Sequence, residues 1–521
     1  MSGFRVIHHS TAVSFTDDDP AGQFLVEYAP GKGGDVFPEG TGRLLPAGAK
    51  FRINLHLHAI GQEEQALVEV GLKFYPKGTT PKNVLHSVHI GDQEDLDIPA
   101  GADNVRSDGY SVMATPVRLT AFQPHLHNRG KAQCMEAILP VSGYGRRDGG
   151  NIIPINCVSR FRFGWHTVYL YEEDVQPLLP AGTILHVVSW HDNSRSHPGN
   201  PDPTNWVGFG QRTTDDMSLA WVSYFELTQK EYEEQLAERQ AKRDRQSYEV
   251  APSSRAQLPF PGDQSSTRTL EGVKYAVGQN VAPIYEGWER LPDATILMHF
   301  GYLNRNHEEE LDVPVGQANF FEPGPADRGQ PTHFLTRRQM FTFTVPLPKD
   351  WDPNARLIWT VTANGNTERA QGWMQPEWEI DEGVQQMNIG PGGAPGRNER
   401  PKVSGPTELT AITGTPVSIS IDVSDDGMPV PPKRPRFPGQ ALPPAGVAVK
   451  WVRYRGPAPV LFEPAERRAT YGEPFSMTTR ATFSEPGDYV IRAVAPDGTL
   501  ITHHDVRVTV TTADTSVTSS R

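Results

Sequence analysis

Apolar residues in this chain come in short runs that alternate with polar residues and soon meet a glycine or a proline. Within the segment 51–58, Phe51, Ile53, Leu55 and Leu57 occupy every second position. Because side chains two positions apart lie on the same face of a β-strand, this spacing predicts a strand with one apolar face. The 48 glycines and 47 prolines supply turns between such strands. The pattern predicts an all-β fold class of many short strands arranged in sandwiches.

The length of 521 residues requires several domains, because one hydrophobic core rarely serves more than about 250–300 residues. A segment of alternating charges predicts a solvated connector helix, and two segments rich in proline and glycine predict linkers. Near the C-terminus, Tyr489 follows a turn and is predicted to be the tyrosine corner of an immunoglobulin-like sandwich. The predicted units are an N-terminal β-sandwich at 1–95, a second β-sandwich at 96–228, the connector helix at 229–247, a linker at 248–270, an accessory β domain at 271–385, a linker at 386–402 and the immunoglobulin-like domain at 403–512.

The charge and hydropathy of the chain exclude two classes of partner. A net charge of −13 argues against nucleic acid, because phosphate backbones are bound by basic surfaces. No run reaches the roughly 18 apolar residues that a membrane-spanning helix needs. We therefore expect no nucleic acid and no membrane span, and a small molecule as the partner.

Two cysteines, Cys134 and Cys157, flank a glycine-rich segment at 142–150 that predicts the turn of a long hairpin. Such a hairpin places residue 134 opposite residue 157. A disulfide there would close a loop of about 20 residues and contribute about 3 kcal/mol. It would indicate an oxidising compartment, whereas two buried thiols that never meet would not. We favour the disulfide.

Six residues whose side chains suit soft metal ions occur within the first 217 residues. Neutral imidazole binds several transition metals, and a thioether suits copper, above all Cu(I). The order of the six along the chain predicts two copper sites, one with three imidazoles and one with two imidazoles and a thioether. The residues are His8, His9, His58, His125, His127 and Met217.

The C-terminal half of this set gives the stronger local pattern. His125 and His127 are two positions apart on a predicted strand, so both rings can reach one ion. Met217, taken alone, is more often core filling than a ligand. Three further histidines of the same domain are predicted to be structural or to support the ligands. They are His166, His186 and His191.

The N-terminal half is weaker. Adjacent strand residues such as His8 and His9 point to opposite faces, so one ion can collect both only where the backbone bends. His56 and His58 share the polar face of their strand, and either is a possible ligand. The pair at 503–504 is also His-His but has no partner motif, so such a pair alone is not specific.

The order His-His, His, His-x-His and Met resembles that of the copper type II, ascorbate-dependent monooxygenases. Peptidylglycine alpha-hydroxylating monooxygenase and dopamine beta-monooxygenase belong to this family. The flanking motifs are similar to those of its bacterial relatives and cover about 5–225 of the chain. These motifs lie at 5–9, 28–31, 37–41, 45–49, 124–131, 163–166, 179–183, 192–194, 200–203 and 210–217.

The resemblance implies a pair of jelly-roll-like β-sandwiches with one copper ion each. The first three of the six ligands match those of an electron-transfer copper, and His125, His127 and Met217 match those of the oxygen-binding copper. The implied reaction is hydroxylation of a C–H bond of a small organic substrate with O₂. Ascorbate or a similar one-electron donor would be the reductant and co-substrate.

Three features depart from the family pattern. Only seven residues precede His8, whereas the family carries strands before its His-His pair. Either the gene start is assigned too late, which removes a signal peptide and early strands, or this copy is degenerate. We favour the first and expect a periplasmic or secreted protein. Gln123 stands where the peptide-hydroxylating enzyme has an arginine for the substrate carboxylate, so a peptidyl-glycine substrate is not expected. Vertebrate members have several disulfides, and two cysteines permit one.

The downstream half leaves two other functions open. Acidic segments at 307–312 and 422–427 offer oxygen ligands for Ca²⁺, but a charged loop and an Asp-Gly turn explain them equally well. One alternative is a non-catalytic extracellular binding or scaffold protein with vestigial copper sites. The other is a calcium-dependent adhesion or carbohydrate-binding protein built of several sandwiches.

Overall fold

The computed structural model divides into two compact units. The first comprises Met1–Pro203 and Val207–Val273, and the second comprises Thr204–Trp206 and Lys274–Arg521. Strands dominate both units, which confirms the predicted all-β sandwich class. The residues that the structure describes are 6–16, 19–57, 60–92, 95–140, 151–245, 274–389, 398–431, 442 and 445–512.

The described part of the first unit consists of strands β1 to β13 and helix α1. In chain order these elements are β1 Ile7–Thr16, β2 Asp19–Tyr28, β3 Thr41–Gly42, β4 Lys50–Leu57, β5 Asn83–Gly91, β6 Val105–Met113, β7 Val117–His125, β8 Gly130–Ile138, β9 Ile152–Val158, β10 Tyr169–Leu170, β11 Leu178–Leu179, β12 Thr183–His191, β13 Leu219–Glu226 and α1 Gln229–Arg245.

Two sheets of the first unit enclose its hydrophobic core. One has the strand order β10-β7-β13-β5-β3, with β11 also pairing with β7, and the other has the order β6-β12-β8-β9. Buried side chains from both sheets form the core, among them Phe122 of β7, Leu185 of β12 and Val222 of β13. Each such side chain contributes about 1.5–3 kcal/mol through burial. Strands β7 and β13, beside which the candidate ligands lie, are thus neighbours inside a well-packed sheet.

Strands β2, β1 and β4 form a separate three-stranded sheet in that order. The apolar face predicted for β4 exists, but it is turned outward. Phe51 is 45% exposed and Leu57 is 69% exposed, while Asn54 and His56 on the other face are half-buried. His56, on the inward polar face, contacts the His9 ring of the neighbouring strand β1.

The predicted boundary at residue 95 does not separate two sandwiches. Strands β3 and β5 precede this boundary, yet both belong to the same sheet as β7 and β13. Residues 60–82 contain no strand. The described residues before 95 therefore leave three strands outside the sandwich, which is too few for a second pair of sheets.

Helix α1 is the predicted connector helix. The Thr228 hydroxyl accepts the Glu231 amide at 3.2 Å, and the Glu231 carboxylate accepts the Thr228 amide at 3.0 Å. This reciprocal pair is a capping box, which explains where the helix begins. A surface ion pair joins Lys242 to Glu238 at 2.9 Å, one turn apart. The helix is mostly exposed, as its alternating charges predict.

Cys134 of β8 lies opposite Cys157 of β9, and a disulfide joins them. Their Cα atoms are 4.0 Å apart. This confirms the predicted hairpin pairing and the predicted bridge. The residues 141–150, which include the predicted turn, lie outside the described residues.

The described part of the second unit contains the remaining strands, a short helix and a 3-10 turn. In chain order these are β14 Val281–Arg290, β15 Ile296–Asn304, β16 Leu311–Asp312, β17 Asn319–Glu322, β18 His333–Phe334, β19 Arg337–Pro346, β20 Leu357–Ala363, β21 Asn366–Gly372, the 3-10 turn Pro376–Trp378, α2 Glu382–Ile389, β22 Lys402–Ser404, β23 Glu408–Ile412, β24 Val417–Ser424, β25 Ala448–Arg455, β26 Val460–Glu463, β27 Glu466–Arg468, β28 Phe475–Phe483, β29 Gly487–Pro496 and β30 Ile501–Thr511.

Two large hydrophobic cores of the second unit each lie between a pair of its described sheets. One surrounds Phe300 and Trp359 between β14-β15-β19 and β17-β20-β21. The other surrounds Trp451 between β22-β24-β28-β26 and β23-β30-β29-β25-β27. In the latter sandwich, the Tyr489 hydroxyl donates to the Glu485 carbonyl at 2.8 Å, which is the predicted tyrosine corner. Neither α1 nor α2 is long and apolar enough to cross a lipid bilayer.

Candidate metal centre

His125, His127 and Met217 lie in one buried region of the first unit. His125 is the last residue of β7 and pairs with Leu219 of β13, two residues beyond Met217. His125 is 6% exposed and Met217 is 7% exposed. The ring centroids of His125 and His127 are 5.5 Å apart. The pairing of β7 with β13 thus brings His125 close to the chain segment that contains Met217.

The carboxylate of Asp216 holds the two motifs together. Its Oδ1 accepts the backbone amides of His127 and Met217, each at 2.9 Å, and its Oδ2 accepts the amide of Arg129 at 3.0 Å. His191 Nε2 lies 3.3 Å from Oδ1. Burial opposes ionisation of Asp216, but the His191 ring and the Arg129 guanidinium hold the pKa of this carboxyl below its usual range. A charged carboxylate therefore fixes the backbone on both sides of the site.

The ring of His127 is oriented by a backbone carbonyl. Its Nδ1 lies 3.3 Å from the carbonyl oxygen of Asp215, which can only accept, so the hydrogen-bond network assigns the proton to Nδ1. Nε2 is then the nitrogen with the lone pair, and no described residue makes a hydrogen bond to it. Burial lowers the pKa of His127, which favours the neutral ring. This is the state in which an imidazole binds a metal ion.

Five imidazoles form a continuous cluster around His125. Its ring centroid lies 5.3 Å from that of His166 and 6.4 Å from that of His9. The rings of His9 and His56 are 3.7 Å apart. We call His9, His56, His125, His127 and His166 the imidazole cluster. It combines residues of both predicted copper sites, which the sequence analysis kept separate.

Two of the predicted N-terminal ligands cannot be placed. His8 belongs to β1, but its side chain is outside the described part of the structure, and His58 lies outside the described residues. His56, the alternative to His58 on the same strand face, is the residue that contacts His9. The pairing of β1 with β4 is irregular between Ile7 and His9. Such an irregularity is the bend that a His-His pair needs to serve one site.

Burial and crowding keep His125 neutral. Burial contributes most to a pKa well below the usual histidine value, and His166, His127, His9 and His56 lower it further. Among the described residues, none makes a hydrogen bond to its Nδ1. A neutral, buried ring with an available nitrogen is therefore at the centre of the imidazole cluster.

His166 was predicted as a supporting residue, and the structure places it inside the imidazole cluster with no exposed surface. Its amide donates to the carbonyl of Pro30, just after β2, at 2.7 Å. Gly31 permits this contact because its φ is 88° and an added Cβ would meet the Trp165 ring at 2.8 Å. The two motifs that contain these residues thus pack directly against each other.

Glu27 of β2 is a candidate ligand that the sequence analysis missed. One ligand atom from each of Glu27, His125 and His166 lies within 4.8 Å of the other two, and all three residues are buried. Glu27 Oε2 accepts a short hydrogen bond from Gln123 Nε2 and lies 3.9 Å from Lys32 Nζ. Burial raises the pKa of Glu27, although Lys32 and Gln123 oppose it. A buried carboxylate is therefore available beside two buried imidazoles.

A cavity of about 240 Å³ adjoins this region. Gln123, which binds Glu27, lines it together with Arg43 and the aromatic side chains of Phe24, Tyr171 and Trp221. Ligand pockets for drug-sized molecules usually hold about 300–1,000 Å³. The size and the aromatic walls suit a small organic molecule.

The other two histidines that were predicted to support the site are held by protein groups. His186 lies between Asp108 and Glu136, with a ring nitrogen 2.7 Å from each carboxylate. His191 Nε2 lies 3.0 Å from the carbonyl of Met217. These contacts agree with the supporting role that the sequence analysis gave them.

The acidic segments of the second unit are engaged in internal contacts. Glu310 and Asp312 bind the two ring nitrogens of His333 at 2.9 and 3.0 Å. In the other segment, Asp426 accepts the amide of Met428 at 2.9 Å, as in an ordinary turn. These contacts fit the structural explanations of a charged loop and an Asp-Gly turn.

Neither a protein-family model nor a curated protein matches the chain. Among solved structures, domains 4 and 5 of the S-layer protein SbsC match at 11% identity and a TM-score of 0.15, over 30% of this chain and 65% of that one. An endo-fucoidan hydrolase of glycoside hydrolase family 107 matches at 10% and 0.15, over 46% and 28%. The D00-D0 domain of intimin matches at 12% and 0.15, over 44% and 99%. This chain thus spans less than two thirds of the first two, and at such TM-scores the likenesses carry no argument.

Proposed function

We propose that the chain is a copper-dependent monooxygenase that hydroxylates a C–H bond of a small organic substrate. O₂ is the oxidant, and ascorbate or a similar one-electron donor is the reductant. The observation that carries the proposal is that Asp216 ties His127 and Met217 together beside His125. Two imidazoles and a thioether suit copper and favour Cu(I), the state that must meet O₂.

The residues at this place fit a copper ion in their protonation as well as their type. His127 Nε2 and His125 Nδ1 are buried nitrogens to which no described residue hydrogen-bonds. Both rings have a lowered pKa and are neutral near pH 7. When bound, copper would supply the one-electron steps that reduce O₂. His9 and His56 are the described residues that would hold a second copper ion, with His8 and His58 as the further predicted ligands.

The substrate would bind in the cavity of about 240 Å³ that adjoins Gln123. Phe24 and Trp221 offer apolar walls, and Arg43 offers positive charge at the same cavity. Gln123 is neutral and already bonded to Glu27, so it does not bind a substrate carboxylate as an arginine would. The disulfide supports an oxidising compartment, and we place the protein in the periplasm or outside the cell.

The proposal is tested by loading the full chain with copper and following ascorbate-dependent O₂ uptake with Met217→Ile and its matched control. Met217→Ile should bind Cu(I) at least about tenfold more weakly and lose O₂ uptake, because a ligand suited to Cu(I) is gone. Met340→Ile, in β19 of the second unit, should change neither. The proposal fails if the wild-type protein binds copper without ascorbate-dependent O₂ uptake, or if Met217→Ile is fully active. The better hypothesis is then a non-catalytic binding protein.

A further inference from the structure

We propose that Glu27, His125 and His166 form a further metal site, distinct from the two proposed copper sites, which binds a divalent ion of the Fe²⁺, Co²⁺ or Zn²⁺ class. Two imidazoles and one carboxylate are the donor set with which proteins hold catalytic Zn²⁺ and non-haem Fe²⁺ while leaving other positions open. The site shares His125 with the copper set of the proposed function but does not require His127 or Met217. The site can therefore be tested separately from that function.

The three side chains are near enough for one ion after small side-chain movements. Their ligand atoms lie within 4.8 Å of one another. Three donor atoms bound at about 2.0–2.2 Å to one tetrahedral ion are about 3.3–3.6 Å apart, so movements of up to about 1 Å close the site. Three different parts of the first unit bring them together, because Glu27 is in β2, His125 ends β7, and the His166 amide is bonded to Pro30 after β2.

Glu27 and His125 also keep suitable donor atoms. Both polar contacts of Glu27, with Gln123 and Lys32, fall on Oε2, and no described residue donates to Oε1. Those two contacts would orient the carboxylate, as hydrogen-bonded partners of metal ligands commonly do. No described residue makes a hydrogen bond to His125 Nδ1. The buried His125 Nδ1 and one oxygen of Glu27 thus face no described hydrogen-bond donor.

Because His125 is common to both donor sets, the ion decides which set is used. Cu(I) is soft and favours the thioether of Met217, whereas Fe²⁺, Co²⁺ and Zn²⁺ accept carboxylate oxygen readily. Because both sets need the His125 ring, they are alternatives, and they differ in the hardness of their other donor atoms. The variants that abolish binding of one kind of ion should therefore spare binding of the other.

The test measures Co²⁺ by its visible absorption and Cu(I) by competition with a chromogenic chelator, on the full chain. Glu27→Gln and His166→Ala should weaken Co²⁺ binding by about 100-fold or more, because loss of an outer partner alone costs about 10–100-fold. Their affinity for Cu(I) should remain within a few-fold of wild type. His127→Ala and Met217→Ile should show the reverse, and His125→Ala should lose both ions. His86→Ala, an exposed histidine on β5, is the matched control and should change neither.

Metal-free circular dichroism and urea unfolding show whether each variant is folded. If Glu27→Gln or His166→Ala unfolds, the milder Glu27→Asp and His166→Gln replace them in the same comparison. The proposal is overturned if folded Glu27 and His166 variants bind Co²⁺ like wild type, or if His127→Ala abolishes Co²⁺ binding as well. If Met217→Ile binds Cu(I) as tightly as wild type does, while Co²⁺ binding still depends on Glu27, the result would count against the copper function alone.

Discussion

The backbone amide of His127 donates to the carboxylate of Asp216 over 2.9 Å, although the two residues are 89 positions apart in the chain. The same oxygen accepts the amide of Met217. One buried charge therefore positions two candidate ligands before any ion arrives. Preorganisation of this kind lowers the cost of assembling a metal site, because the backbone need not be ordered on binding.

Replacement of Asp216 by Asn should destabilise the first unit by about 3 kcal/mol, because it breaks a buried charged network and leaves Arg129 without its compensating charge. Cu(I) affinity should fall about 10–100-fold, as for other partners that orient ligands. Urea unfolding and a Cu(I) competition assay measure the two effects. Asp215→Asn is the control, since its carboxylate binds the Arg212 side chain at 2.6 Å, and it should cost clearly less. Equal losses for the two variants would contradict the anchoring role.

Removal of the disulfide by Cys134→Ala with Cys157→Ala should lower the free energy of unfolding by about 3 kcal/mol, because the unfolded chain regains the freedom of the closed loop. The wild-type protein in reducing agent should lose a similar amount, measured by urea unfolding. The double variant should be insensitive to the reductant. A reductant effect that persists in the double variant would show that the bridge is not its cause.

The free energy of unfolding of the first unit should depend on pH through His186, which lies on β12 in the sheet β6-β12-β8-β9. Burial lowers its pKa, but hydrogen bonds to Asp108 and Glu136 outweigh this, so the folded-state pKa is raised. The stabilisation is therefore complete below the unfolded value of about 6.5 and is lost as the pH rises through the higher folded value. Urea unfolding of metal-free wild type and His186→Gln should differ most near pH 6 and converge by about pH 9. A difference independent of pH would contradict a charged His186.

Tyr489→Phe should lower the stability of the immunoglobulin-like sandwich by about 1 kcal/mol, because a half-buried hydrogen bond to the Glu485 carbonyl is lost without a change of shape. Calorimetry of the full chain should show one transition moved to lower temperature. Tyr471→Phe removes a similar bond, to the Gly427 carbonyl, at an exposed position. Its effect should be smaller, and a larger one would argue against a special role for the corner.

Much of the fold could be predicted because it depends on local pattern. The alternation of apolar residues predicts strands, the spacing of Cys134 and Cys157 around a turn predicts their pairing, and Tyr489 after its turn predicts a corner. In each case the decisive feature lies within one strand, between two consecutive strands or between residues a few positions apart in the chain. The burial of β4 could not be predicted, because alternation identifies two faces without telling which one faces water.

The candidate site was predicted in part. His125, His127 and Met217 could be identified from their motifs, but the choice between His56 and His58 could not, because residues two apart share a strand face. Glu27 was missed because contacts from distant segments create its role. Its one signal was a single carboxylate in the otherwise apolar and aromatic run 24–28, where an unpaired charge would be costly to bury.

The proposed sharing of His125 between two donor sets would have a practical consequence for anyone who purifies this protein. If both sets bind metal as proposed, the element recovered with the protein should reflect what the growth medium and the host supplied, since a zinc-rich culture and a copper-supplemented one would fill different sets. A preparation without activity could then simply contain the wrong metal ion. Stripping the protein and reloading it with one element at a time is the way to separate the two.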